Sequence, residues 1–572
     1  MGKNILKEKC LFNNVTKYLI FLLIIVIALC VIPLIGRADK VNEVFVNVEQ
    51  GNLRGKQEIG ITGNKYYSFK GIPYAKPPLG TLRFKAPQPP ESWTGIRDAT
   101  VHRSICFQHW PISAEPAENE SEDCLYINVY TPEDPNNSAN KLKPVMFWIH
   151  GGAFLAGSGN SESFGPDYLV QENIILVTFN YRLGIFGFLR VDDPNIEIPG
   201  NAAMKDMVMA LKWTKSNIAY FGGDPGNITV VGQSAGGAAA HLLTLSPLAS
   251  GLFKRAIIES GTGLAIWSIV SPETKSLREV AKTLNMAQNS ERQIVEELYK
   301  LSDKDVVGAQ KQVNYIPGDP TIFGPTVEKS SNETAFISDH PLNIIRSGNY
   351  NKMPTMFGYV SREGMFFKRN GLNYLTRDIE DLIPFDWGIP QGSSKSKELA
   401  EQIAKFYYYG EKPTEDNVDV TYTLLSDTYF VNSMYQSMRE QLKVSDEKVY
   451  LYRFSVDGRN NLSKKRNNIT LPGACHGDTN SYRFSGGRTA PEVIPNSVED
   501  LTIKRFVKLC ANFVKYGDPT FGQKTNLINI KWDPISEEEF TFLELGENLS
   551  LGVNADIHRQ KFWDELRQSA EN

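Results

Sequence analysis

The chain has 572 residues, 41% of them hydrophobic and 22% charged, with 61 Lys and Arg against 65 Asp and Glu. That balance excludes a disordered or fibrous protein, and the small negative charge excludes the dominant basic face that a nucleic-acid binder needs. Six cysteines in so long a chain exclude a small disulfide-stapled scaffold and leave a large globular protein with its own core.

The opening segment reads as an address. Lys3, Lys7, Lys9 and Lys17 outnumber Glu8, and residues 18–36 then run without a charge. A stretch of that length is about enough to cross a bilayer as a helix, whereas a cleaved signal has a shorter apolar core. Pro33 and Gly36 weaken its distal end, and Gly36 and Ala38 supply the small residues that a cleavage site after Ala38 requires. Two readings stay open, a cleaved signal peptide over residues 1–38 and a retained signal anchor that tethers the protein to a membrane. Membrane contact is expected only through this segment. Cleavage leaves 56 bases and 64 acids, a net charge of −8. Glycosylation triplets follow at Asn119, Asn136, Asn227, Asn332, Asn461, Asn468 and Asn548. Together with the leader they point to a secreted glycoprotein.

Beyond it, short apolar runs rich in β-branched or aromatic residues recur. The run at 145–149 leads into His150-Gly151-Gly152-Ala153-Phe154, a turn whose backbone N–H groups suit an oxyanion hole. A dinucleotide fingerprint is excluded because Gly157 and Gly159 are followed by Glu162, and no Lys-Ser/Thr follows to make a phosphate loop. After the run at 174–179, Met204, Met207, Val208 and Leu211 follow the stripe of an amphipathic helix. The run at 228–231 enters Gly232-Gln233-Ser234-Ala235-Gly236 and then an apolar helix. Strand, strained glycine turn and helix lift a serine hydroxyl clear of the backbone, and the N–H of Ala235 faces developing charge. Ser234 is therefore the expected nucleophile.

Runs at 256–258 and 355–359 follow, and Glu363 stands just past the second, where an orienting acid belongs. Residues 391–397 and 484–497 read as surface loops, with the run at 449–454 between them. His476, in a glycine-flanked turn after that run, is the histidine whose place suits the order serine, acid, histidine. Of the other six, His150 belongs to the glycine turn, His241 to the helix behind Ser234, and His340 precedes a proline. His102 and His109 lie in a loop and His558 in an amphipathic terminal helix. Apolar strands alternating with such helices predict an α/β fold, a mostly parallel sheet covered on both faces, as one domain over residues 39–572.

Five further motifs carry a resemblance: the run from Gly71-Ile-Pro-Tyr to Leu82-Arg-Phe84, Ser121-Glu-Asp-Cys124-Leu-Tyr-Ile-Asn128, Tyr181-Arg-Leu-Gly184, Phe221-Gly-Gly-Asp-Pro225, and Ala511-Asn-Phe through Gly517-Asp-Pro519. With the turns above, residues 40–570 resemble the type-B carboxylesterases, the cholinesterase-like branch of the α/β-hydrolase fold. The resemblance implies a catalytic Ser234, Glu363 and His476, oxyanion donors at Gly152, Ala153 and Ala235, a supporting Ser260, and a disulfide between Cys106 and Cys124. It implies no pairing for Cys475 and Cys510. Ala153 stands where the family usually has a glycine, and its methyl narrows one side of the site.

Within the family, Gly232–Gln233–Ser234–Ala235–Gly236 with Arg83-Phe84 resembles the juvenile hormone esterases of insects. Two departures are Met207 after Asp206 and Thr479 three residues after His476, and Trp110 does not match a choline-binding tryptophan. The expected activity is hydrolysis of small to medium apolar esters through an acyl-enzyme, with neither metal nor organic cofactor and with the oligomeric state open. The alternatives are a juvenile hormone esterase as the specific subtype and, from another class, an inactive adhesion protein of the same fold, which would normally have lost a triad member.

Overall fold

The computed structural model describes residues 43–109, 119–137, 141–271, 274–313, 322–329, 334–368, 378–384, 387–486 and 491–571. The leader, Trp110 and the triplet at Asn332 lie outside them. In chain order the strands are β1 (Glu43–Val48), β2 (Gly51–Ile59), β3 (Lys65–Pro73), β4 (Ile96–Asp98), β5 (Ile105–Cys106), β6 (Glu120–Ser121), β7 (Tyr126–Thr131) and β8 (Lys143–Ile149). Then come β9 (Ile175–Phe179), β10 (Gly223–Gln233), β11 (Arg255–Glu259), β12 (Thr355–Val360), β13 (Val449–Phe454), β14 (Thr541–Leu545) and β15 (Leu549–Val553).

Thirteen of these make one sheet in the order β1-β2-β3-β7-β9-β8-β10-β11-β12-β13-β14-β15, with β4 added at β2; β5 and β6 pair separately. Every ladder from β9 to β14 is parallel. The ladders β2–β3, β3–β7, β7–β9 and β14–β15 are antiparallel. The parallel part is therefore the centre of a mixed sheet. Strands β9, β11 and β12 are buried at every residue, which is why they read as unbroken apolar runs. Strand β1 alternates exposed and buried instead.

Four helices matter below: α1 (Ala202–Asn217), α2 (Ala235–Leu245), α3 (Val498–Tyr516) and α4 (Ile557–Glu571). On one face of the sheet Trp148, Val231, Ile257, Met356 and Tyr450 join Phe506, Val507, Cys510 and Phe513 of α3 in one core. Helix α2 is buried at all eleven residues, and its His241 ring meets Phe357 of β12 edge-on at 5.9 Å. Burial on every side explains its lack of a polar face. In α1 the stripe of Met204, Met207, Val208 and Leu211 is buried, and so is Asp206. Arg182 donates to Asp206 through Nε at 2.8 Å, Nη2 at 2.6 Å and its backbone N–H at 3.2 Å. The acid beside Met207 thus serves the arginine of Tyr181-Arg-Leu-Gly184.

Phe45–Asn572 forms one compact unit, and Met1–Val44 a second of which two residues are described. No described helix is long and apolar enough to cross a membrane. Cys106 and Cys124 are joined in a disulfide. Cys475 and Cys510 are free and buried, and burial pushes the Cys510 thiol up to about 11.

Two expectations are corrected. Residues 394–397 are not loop but the first turn of the helix Ser394–Tyr408, because Ser393 accepts the N–H of Ser396 and caps it. Asn461 is buried, with Nδ2 donated to Val456 O at 2.8 Å and Oδ1 accepting the Tyr482 hydroxyl at 2.7 Å. The folded chain does not offer it for glycosylation. Asn119, Asn136, Asn468 and Asn548 are exposed, and Asn227 is half-buried.

Asp206→Ala leaves Arg182 buried without its counter-charge and is expected to cost about 3–5 kcal/mol. Urea unfolding of the full chain checks this, with Asp206→Ala/Arg182→Met recovering most of the loss.

Candidate active site

Ser234 sits alone between β10 and α2, at φ 61° and ψ −128°. A side chain in that region is strained and persists only where its surroundings enforce it. Here they do. A Cβ on Gly232 would stand 2.1 Å from Gly236 O, and one on Gly236 would stand 2.1 Å from Ile149 O. The spacing of the two glycines is thus a steric requirement of the turn. The Ser234 N–H donates to Glu259 O at the end of β11, at 2.8 Å. Ala235, the first residue of α2, has an N–H with no partner inside the helix, where the helix dipole favours negative charge.

His476 comes from the turn after β13. Its Nε2 is 2.9 Å from Ser234 Oγ and its Nδ1 is 2.6 Å from Glu363 Oε2. A carboxylate only accepts, so Nδ1 carries the proton and Nε2 is left to accept the serine hydroxyl. Glu363, fully buried, opens the short helix Glu363–Lys368 past β12. Its Oε1 accepts the Ser260 hydroxyl at 2.6 Å and the Val360 N–H at 2.9 Å. Arg362 turns away to Asp419 at 3.2 Å, so the charged neighbour does not draw Glu363 to the surface.

The glycine turn lies against the serine: a Cβ on Gly151 would stand 3.0 Å from that of Ser234. Gly152, Ala153 and Phe154 follow with φ of 118°, 53° and 62°. Gly152 O accepts the N–H groups of Leu155 and Ala156 at 2.9 and 3.0 Å, which commits that carbonyl to the turn. The His150 ring, stacked on Tyr181 at 4.3 Å, donates Nδ1–H to Gly151 O at 2.8 Å.

Apolar rings wall the imidazole. Phe430 lies 4.5 Å and Phe366 5.1 Å from it, centroid to centroid. Phe430 belongs to a π-helical turn, Asp427–Val431, and Trp267 donates its indole N–H to Tyr429 O at 2.8 Å.

Three residues here escaped sequence reasoning. Asp478 accepts the Cys475 N–H at 2.7 Å and the Ser463 N–H at 2.8 Å, closing the turn that carries His476. Burial pushes its carboxyl up to about 7. An Asp two residues after the histidine was the available signal, since such acids bind nearby backbone N–H groups. Gln233 brings Nε2 to 3.3 Å from His476 Nε2, and Asn480 donates to its Oε1 at 3.3 Å. Neither contact has a sequence signature.

Residues 42–563 match the carboxylesterase family. A juvenile hormone esterase of Tribolium castaneum is 33% identical over 521 residues, covering 86% of each chain. A carboxylic ester hydrolase of Bombus ignitus is 32% identical over 542 residues, 91% of this chain and 94% of that one. The crystal structure of the juvenile hormone esterase of Manduca sexta, with OTFP covalently attached, superposes with a TM-score of 0.81 at 28% identity. It covers 92% of this chain and 100% of its own.

Half-buried His102 and buried His150 and His241 are neutral. Burial lowers His102 to about 4, His150 to about 4 and His241 to about 3, from 6.5. Between pH of about 6.5 and about 4 the unfolded chain takes up protons that these rings do not, so stability falls as pH falls across that window. Thermal unfolding from pH 7 to pH 4 should show a falling midpoint, flattened by His241→Gln in a folded variant.

Proposed function

The chain belongs to the carboxylesterase family, and on that premise we propose that Ser234, His476 and Glu363 hydrolyse its carboxylic esters through an acyl-enzyme. The observation that carries this reading is the unbroken relay from Ser234 Oγ to His476 at 2.9 Å and from His476 to the buried Glu363 at 2.6 Å. A serine hydroxyl is a weak nucleophile until a base removes its proton. As Ser234 Oγ attacks the ester carbon, His476 Nε2 takes that proton, and the Glu363 carboxylate stabilises the imidazolium. The carbonyl oxygen becomes an oxyanion, for which the N–H groups of Gly152, Ala153 and Ala235 are the donors. His476 then protonates the leaving alcohol and deprotonates water, which attacks the acyl-enzyme and frees Ser234. One such oxyanion donor is worth about 3–4 kcal/mol.

Phe366, Phe430 and Trp267 give the site an apolar wall, which suits small to medium apolar esters. Similarity to the juvenile hormone esterases of Tribolium and Manduca favours a narrower second reading, that juvenile hormone is the substrate. We read residues 1–38 as a signal peptide or anchor that delivers residues 39–572, a single catalytic domain, to the secretory pathway.

An organophosphonate probe should label the native chain and leave Ser234→Ala unlabelled, and an unlabelled native chain removes the catalytic assignment. Turnover of short-chain aryl esters against a juvenile-hormone-like methyl ester separates the two substrate readings. A strong preference for the aryl esters counts against the hormone.

A further inference from the structure

Two buried charges near the turn that carries Ser234 take no part in the steps above. Glu259 ends β11 and Arg483 ends the short helix Asn480–Arg483, which follows His476. Both are fully buried. Arg483 Nη1 donates to Glu259 Oε2 at 2.8 Å and Nη2 to Oε1, so the guanidinium fork grips both carboxylate oxygens. Tyr452 of β13 donates its hydroxyl to the same Oε1. The guanidinium lies over the ring of Trp148 at 5.3 Å and that of Phe506 at 4.6 Å. Trp148 stands in β8 two residues ahead of His150 and the glycine turn.

The position of this pair gives it its meaning. The Glu259 carbonyl receives the Ser234 N–H at 2.8 Å, and the next residue, Ser260, donates its hydroxyl to Glu363. Arg483 rides on the segment that carries His476, whose Asn480 reaches Gln233 beside the serine. One bidentate contact therefore ties the strand end supporting Ser234 and Ser260 to the segment supplying the base. Desolvating two charges is costly, and apolar residues of similar volume can fill such a place with no loss of stability. What they cannot supply is the fixed planar geometry of an arginine–carboxylate fork.

We propose that Glu259 and Arg483 are positioning residues for the esterase reaction, a buried fork that sets the His476 imidazole against Ser234 without touching substrate or reacting atoms. This rests on the catalytic reading given above.

The test compares the native full chain with Glu259→Met/Arg483→Met and with Arg483→Lys. It reads kcat and KM on a short-chain aryl ester and the rate of organophosphonate labelling at Ser234. A small displacement of a reacting group is enough to cost about 10–100-fold in rate. The folded double variant should show a kcat loss of that size, KM within about threefold of native, and labelling slowed in proportion. Arg483→Lys keeps the charge and loses the fork, and should fall between native and double variant. A folded double variant with kcat and labelling within about twofold of native overturns the inference, as does a change confined to KM. If the double variant does not fold, Arg483→Lys decides by the same readings. A native chain that the probe fails to label sinks the catalytic reading instead, so the two failures are told apart.

Discussion

Glu363 has no solvent exposure, and a carboxylate so placed holds its charge only if its lone pairs find donors. The donors are the Ser260 hydroxyl, the Val360 N–H and the His476 ring. They come from the end of β11, from β12 itself and from the turn beyond β13. Those three strands are adjacent and parallel, so their carboxyl ends meet at one edge of the sheet. That edge is where open α/β sheets place their ligands. Satisfying one buried charge thus requires the same register that brings base and nucleophile together.

The same economy of contacts runs through the surroundings. Ser234 is held at a positive φ by the glycines on either side and by its N–H bond to Glu259 O. On the other flank, Phe154 O in the glycine turn accepts the Gly184 N–H at 2.8 Å, two residues past the Arg182–Asp206 pair. Phe430 is carried against the imidazole by a π-helical turn whose first residue, Asp427, receives Tyr407 OH and Arg559 Nε of α4, each at 2.6 Å. Burial pushes the Asp427 carboxyl up to about 6. Each wall of the site is therefore braced by a buried acid, and two of those acids are paired with residues far away in the chain.

Legibility followed the range of the forces involved. The central strands were visible as apolar runs because burial on both faces removes alternation, and the run at 449–454 matches β13 at both ends. His476 was reached by setting the other histidines aside, and three of those are hydrogen-bonded elsewhere, His150 and His241 buried and His102 half-buried. Residues 391–397 misled because serines and glycine suit a loop and a helix cap equally well. The burial of Asn461 and the Glu259–Arg483 fork were silent, since their partners lie outside any periodic pattern.

Local chemistry was enough to single out Ser234, the glycine turn and the alternation of strands and helices, because steric limits on a turn and the burial pattern of an element are properties of consecutive residues. It also supported the family resemblance, which rests on short motifs. The folded chain decided the rest: that residues 234, 363 and 476 meet within hydrogen-bond distance, that Cys475 and Cys510 are buried thiols, and that a distant arginine grips the strand beneath the serine. Those distances follow from the register of parallel strands and the docking of α3 and α4, which depend on packing between segments hundreds of residues apart.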